Sequence, residues 1–140
     1  MIKLKKMLWL TSAAFCFMSC RPDHYFDLSI KNNSDSGIYY TYSTLYPDTA
    51  VDTSVYIPPG STRTPSDVIY PGQTNTVIAI ASLQGYFSTI PSDTLEIFIY
   101  DAKLVQRTPW DSVVAKYLVL KRYDLTLQEI EKMNGIVTYP

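Results

Sequence analysis

Phe26-Asp-Leu-Ser-Ile-Lys31, Asn32-Asn-Ser-Asp-Ser-Gly37 and Ile38-Tyr-Tyr-Thr-Tyr-Ser43 follow one another without a break and set the architecture. In the first piece Phe26, Leu28 and Ile30 alternate with Asp27, Ser29 and Lys31. A period of two places the apolar side chains on one face of an extended chain, so this is a half-buried strand. In the last piece Ile38, Tyr40 and Tyr42 alternate against Tyr39, Thr41 and Ser43. The residues between them are Asn, Ser, Asp and Gly, whose side chains or free φ favour turns. Together the three pieces read as a β-hairpin.

Toward the C-terminus, Tyr46-Pro-Asp-Thr49, Pro58-Pro-Gly60 and Pro71-Gly72 break the chain around short strand candidates at 54–57 and 64–70. The continuous apolar run Val77-Ile-Ala-Ile-Ala81 is rich in β-branched residues and bounded by polar ones, the pattern of a central strand buried on both faces. Leu95, Ile97 and Ile99 alternate with Glu96, Phe98 and Tyr100. Residues 117–123 alternate Leu118 and Leu120 against Val119 and Lys121, and Ile136-Val-Thr-Tyr139 closes the series.

Two helices carry explicit start signals. Thr108-Pro-Trp-Asp111 offers a capping hydroxyl, proline at the first helical position and a carboxylate at the third. Thr126-Leu-Gln-Glu129 is a capping box flanked by Leu125 and Ile130 in hydrophobic-staple positions, and Gly135 after Asn134 supplies a stop. Many short strands with two late helices predict a mainly β fold, an antiparallel β-sandwich of immunoglobulin-like or related type, as one domain over 26–140.

Toward the N-terminus the character changes. Met1 to Lys6 is basic, Met7 to Met18 is apolar, and Ser19-Cys20 follows, the layout of a secretory signal over 1–19. The apolar run of about twelve residues is too short to span a bilayer, which takes about 20. Phe17-Met18-Ser19-Cys20 resembles the cleavage box of bacterial lipoproteins, which implies that Cys20 becomes a lipidated first residue and that residues 20–25 form a short tether. Two or more acyl chains, such as palmitate, hold a protein durably where one chain is marginal. Cys16 leaves with the leader, so no disulfide would remain. The first strand then leads away from the membrane, and the turn from Asn32 to Gly37 is expected to face outward.

Charge and composition exclude several functions. The chain of 140 residues holds 12 basic and 13 acidic side chains, and Lys3, Lys5 and Lys6 are the only charges in the leader. Without them 9 basic groups face 13 acidic ones, with no basic stripe for a nucleic-acid backbone. The lone His24 lies in the tether, which disfavours triads and zinc sites. The five glycines are isolated, so no phosphate cradle is present. No catalytic residue, metal site or cofactor is expected. Among the carboxylates Glu96, Asp101, Asp124 and Glu129, Glu129 reads as a cap, Asp101 as a strand end and Glu96 as a solvent-facing strand position; their spacing pairs none of them for glycoside hydrolysis. Asn33, Asp35 and Gly37 echo a calcium loop but lack its later glutamate and read as a turn. Arg122 and Asp124 read as a local surface pair.

Tyrosine is the most telling residue. Tyr39 alternates with Tyr40 and Tyr42, so both rows cannot enter one core unless the strand is covered on both sides, and one row is a candidate contact surface.

Lys121-Arg-Tyr-Asp-Leu-Thr-Leu127, running on to Asn134 and Tyr139-Pro140, is similar to the tail of a family of small uncharacterised lipoproteins of Bacteroidota-type bacteria. Tyr46-Pro-Asp-Thr49, Phe98-Ile-Tyr-Asp101 and Trp110 resemble other recurrent pieces of that family. Gly135 departs from it, since members often carry tryptophan after the asparagine. The resemblance implies address and architecture but no activity. Extracytoplasmic proteins of such bacteria also resemble one another in O-glycosylated Asp-Ser/Thr-apolar tripeptides, which makes Thr49 a candidate, with Thr94 and Ser112 in similar tripeptides.

The expected function is therefore a non-catalytic cell-envelope lipoprotein, anchored to the membrane through its lipid, in the outer membrane on either side. It would contact an unknown protein or glycan partner and no nucleic acid. The alternatives are a carboxylate-dependent glycan hydrolase and an immunity-type inhibitor of a secreted toxin.

Overall fold

The computed structural model describes residues 26–47, 60–62 and 68–140. The leader, Cys20, the tether, Thr49, the strand candidate at 54–57 and most of that at 64–70 lie outside the described residues. In order, the elements are β1 (Phe26–Asn32), β2 (Ile38–Ser43), β3 (Thr74–Ile80), α1 (Leu83–Phe87), β4 (Thr94–Asp101), α2 (Ala102–Arg107), α3 (Trp110–Ala115), β5 (Lys121–Thr126), α4 (Leu127–Lys132) and β6 (Ile136–Tyr139). The fold is mainly strand. Its strands form two three-stranded sheets, ordered β3-β1-β6 and β2-β4-β5.

β1 and β2 are strands as their alternation predicts, but they do not form a hairpin, because each enters a different sheet. β1 pairs antiparallel with β3 and parallel with β6, so the first sheet is mixed. The bonds a hairpin would have used go to the segment around Ile69. Ile38 exchanges both backbone bonds with Ile69, at 3.0 and 2.9 Å, while Asn32 exchanges its own with Gln73 and Gly72. The Asn32 side chain fixes the crossover. It donates to the carbonyls of Ser36 and Ile69 and accepts from the Ser34 N–H and hydroxyl. Asn33, Asp35 and Gly37 belong to this loop.

The central, doubly buried strand is β4 rather than β3. Leu95 through Tyr100 are all buried. Leu95, Ile97 and Ile99 join Leu28, Ile30, Ile130 and Val137 in a core to which both sheets contribute. Phe98 and Tyr100, on the opposite face, pack with Tyr39, Val105, Trp110 and Val113 in a second cluster. The aromatic rings of Tyr39, Tyr100 and Trp110 meet there, with centroids 5.4 to 6.1 Å apart. The apolar run at 77–81 instead belongs to an edge strand that is half exposed, since nothing among the described residues pairs with its outer side.

Four short helices occur among the described residues, two more than the start signals predict. Ser82 caps α1, accepting from Gly85 N–H. Asp101, the last residue of β4, turns the chain directly into α2 by accepting from Leu104 N–H at 2.9 Å. In α3 Pro109 occupies the cap position with no side-chain bond, so Thr108 is not the cap. The capping box of α4 forms as read: Thr126 accepts from Glu129 N–H, and Glu129 accepts from Thr126 N–H. β5 starts at Lys121, later than the alternation over 117–123 suggests, because Tyr117 takes a positive φ of 46° and turns the chain after α3.

α4 ends in a Schellman arrangement, with Gly135 N–H on Ile130 C=O and Asn134 N–H on Glu131 C=O. Gly135 has φ +73°, and a Cβ there would stand 2.7 Å from the Asp27 carbonyl oxygen and 2.8 Å from the Phe26 ring. Glycine is therefore required by both conformation and contact. A tryptophan at this place would have to displace β1.

Candidate functional site

The pairing of β2, β4 and β5 lines up Ser43, Glu96 and Asp124 in one row and Thr41, Phe98 and Arg122 in the next. The Arg122 guanidinium joins the two rows. Its Nε and Nη2 donate to the two carboxylate oxygens of Asp124 at 2.6 and 3.1 Å, a fork-to-fork contact. Its Nη2 also lies 2.7 Å from Glu96 Oε1, an ion pair not aligned as a hydrogen bond. The plane sits 5.7 Å from the Tyr46 ring and 5.8 Å from the Phe98 ring, within cation–π range. The Asp124 hydrogen bond, opposed by partial desolvation and aided by Tyr117 and the charge of Glu96, holds Arg122 above even its usual high pKa.

Two sequence expectations are corrected here. Glu96 is 0% exposed rather than solvent-facing, because this face of β4 is covered by Arg122 and the second core cluster. Glu96 and Asp124, which sequence spacing left apart, are cross-strand neighbours joined through one cation. The Arg122–Asp124 pair is present as read. Asp101 and Glu129 serve as helix caps. Chemically, the guanidinium occupies the space between the two carboxylates where hydrolysis would need the substrate.

Three exposed apolar or aromatic residues lie near this centre. Tyr46 is 42% exposed, Tyr117 46% and Leu120 54%, all flanking Arg122 in space or sequence. Lys121, next along β5, sits 5.7 Å from the ring of Tyr123.

The tyrosines of β2 divide. Tyr39 is 2% exposed in the second core cluster and offers no contact surface. Tyr40 is half-buried against the main core, and Tyr42 on the same row is exposed. β2 is thus covered on both sides along most of its length and emerges only at Tyr42. Burial raises the Tyr86 hydroxyl above its ordinary pKa, with a smaller contribution from the charge of Tyr42.

A cleft of about 440 Å³ opens between α1 and α4, bordered by Phe87 and Leu127 and by the polar side chains of Gln84, Asp93 and Gln128. Among the described residues no group of three or more His, Cys, Asp or Glu could hold a metal ion. No helix among them is long and apolar enough to cross a membrane. Thr94 opens β4 and Ser112 lies in α3, both half-buried.

No protein-family model, curated protein or solved structure matches this chain. Sequence reasoning read the Arg122–Asp124 pair but missed its link to Glu96 and to the rings of Tyr46 and Phe98. The signal for the Glu96 link was nevertheless present: Arg122 and Asp124 share a strand face, and pairing β5 with β4 would have set them against Glu96.

Proposed function

We propose that this chain is a lipid-anchored, non-catalytic cell-envelope protein whose two sheets are the layers of a β-sandwich and whose Arg122 surface contacts a protein or glycan partner. The observation that carries this reading is a guanidinium locked by two carboxylates and two aromatic rings among exposed Tyr46, Tyr117 and Leu120. Arginine and tyrosine dominate interface hot spots, because they bring large contact area and directed donors at low entropic cost when already held in place. The lipoprotein-like box at Cys20 and the family resemblance of the tail support the envelope address. A carboxylate hydrolase fits less well, since Glu96 has no exposed surface and Asp124 is engaged by Arg122.

Two measurements test the proposal. Metabolic labelling with a fatty acid is expected to mark the mature chain and to fail in Cys20→Ser. A photo-crosslinking residue at position 117, in intact cells, is expected to yield a discrete adduct that Tyr46→Ala weakens; the same probe at Lys31 is the control. An unlabelled chain removes the anchor, and adducts at 117 no stronger than at 31 remove the contact surface. An adduct with a secreted toxin would assign the inhibitor form of the same reading.

A further inference from the structure

We infer that the cleft between α1 and α4 is a second, separate binding site, and that it takes a short neutral saccharide. Its volume of about 440 Å³ lies within the roughly 300–1,000 Å³ of small-molecule sites. Its walls are held in place by the caps at Ser82 and Thr126 and by buried Leu83, Phe87 and Ile130, so the cleft is formed before any ligand arrives. Phe87 and Leu127 are the apolar residues of its lining.

The rim decides the ligand class. The Ser88 hydroxyl is committed to Gly85 C=O at 2.7 Å, and the Thr126 hydroxyl to Glu129 at 2.8 Å. Gln84, Gln128 and Asp93 make no side-chain hydrogen bond to another described residue. Gln84 stands on α1, Gln128 on α4, and Asp93 in the turn before β4. Two amides, each able to donate and accept, and one carboxylate acceptor suit hydroxyl groups, which also do both. A pyranose ring adds an apolar face that suits the part-exposed Leu127. Among the described residues no cation lines the cleft while Asp93 does, which disfavours phosphate, sulfate and uronic acids.

The site is independent of the Arg122 surface, and either can fail without the other. The test is amide NMR on the full chain in detergent, titrated with maltose, cellobiose and N,N′-diacetylchitobiose. At least one is expected to shift resonances in α1 and the first turn of α4. The double variant Gln84→Ala/Gln128→Ala, altered only at exposed positions, should keep a dispersed spectrum and weaken that binding at least tenfold, as should Asp93→Asn to a lesser degree. Tyr117→Ala should leave it unchanged. The inference is overturned if none of the three sugars shifts these resonances, if the double variant binds as well as the wild type, or if tetra-alanine occupies the cleft and the sugars do not.

Discussion

Asn32 uses all four of its side-chain hydrogen-bonding positions inside the molecule, two donors on the carbonyls of Ser36 and Ile69 and two acceptor contacts from Ser34. It is fully buried, so none of these can be replaced by water at no cost. Asn32→Asp keeps the shape but turns the two donors into a carboxylate oxygen facing two carbonyls. A loss of about 3 kcal/mol is expected, measurable as a lowered urea midpoint with unchanged slope. Asn32→Ala should cost less, since it leaves unsatisfied groups but no buried charge, and the reverse order would refute this account. Sequence marked Asn32 only as a turn former, because its partners Ile69 and Gln73 lie across the crossover. Glu96 was misread for a related reason. Alternation reports which side chains share a face, but whether that face meets water depends on elements encoded elsewhere, here Arg122 and the second core cluster.

Elements with local, self-contained signals were legible, and those defined by their neighbours were not. The α4 capping box is written within Thr126 to Glu129 and forms as read. α1 has five residues and α2 only six, starting directly after the last residue of a strand, too little for a 3.6-residue period to show. The run at 77–81 has the composition of a buried strand but ends at a sheet edge, since composition does not say what lies alongside. The capping box also gives α4 an acid response. The Thr126 backbone N–H, then its hydroxyl, hold Glu129 below its ordinary pKa of 4.5, with Lys132 adding a little. A depressed folded-state pKa contributes stability that is present above the unfolded value and disappears as pH falls below it. Wild type should therefore lose more melting temperature between about pH 6 and pH 3 than Glu129→Gln does. Thr126→Ala should lower stability by about 1 kcal/mol at neutral pH. Identical acid slopes for wild type and Glu129→Gln would show that the cap carries no such linkage.

At the scale of the whole molecule, the order of pairing matters more than the number of strands. β1, the first described strand, sits in the middle of its sheet between β3 and β6, so its ladder is complete only when the last strand arrives. β6 brings the parallel register Ser29 to Ile136 through Asn32 to Tyr139, the buried Val137, the Asn33 N–H bond to Tyr139 C=O and the Tyr123 hydroxyl bond to Thr138 C=O. Pairing over such sequence separation must close a long loop before any contact stabilises it, which places folding in the millisecond-to-second range. A chain ended after Gly135 keeps the four described helices and five of the described strands, yet uncovers Leu28, Ile30 and Ile130 in the shared core. Given a total stability on the order of 5–15 kcal/mol, removing one flank of β1 should abolish cooperative unfolding altogether. Val137→Ala, by contrast, removes only methyl groups and should shift a still-sigmoidal urea transition by about 2 kcal/mol. If the truncated chain melts as sharply as the whole one, β6 is an ornament on the sheet and the two ends of the domain do not depend on each other.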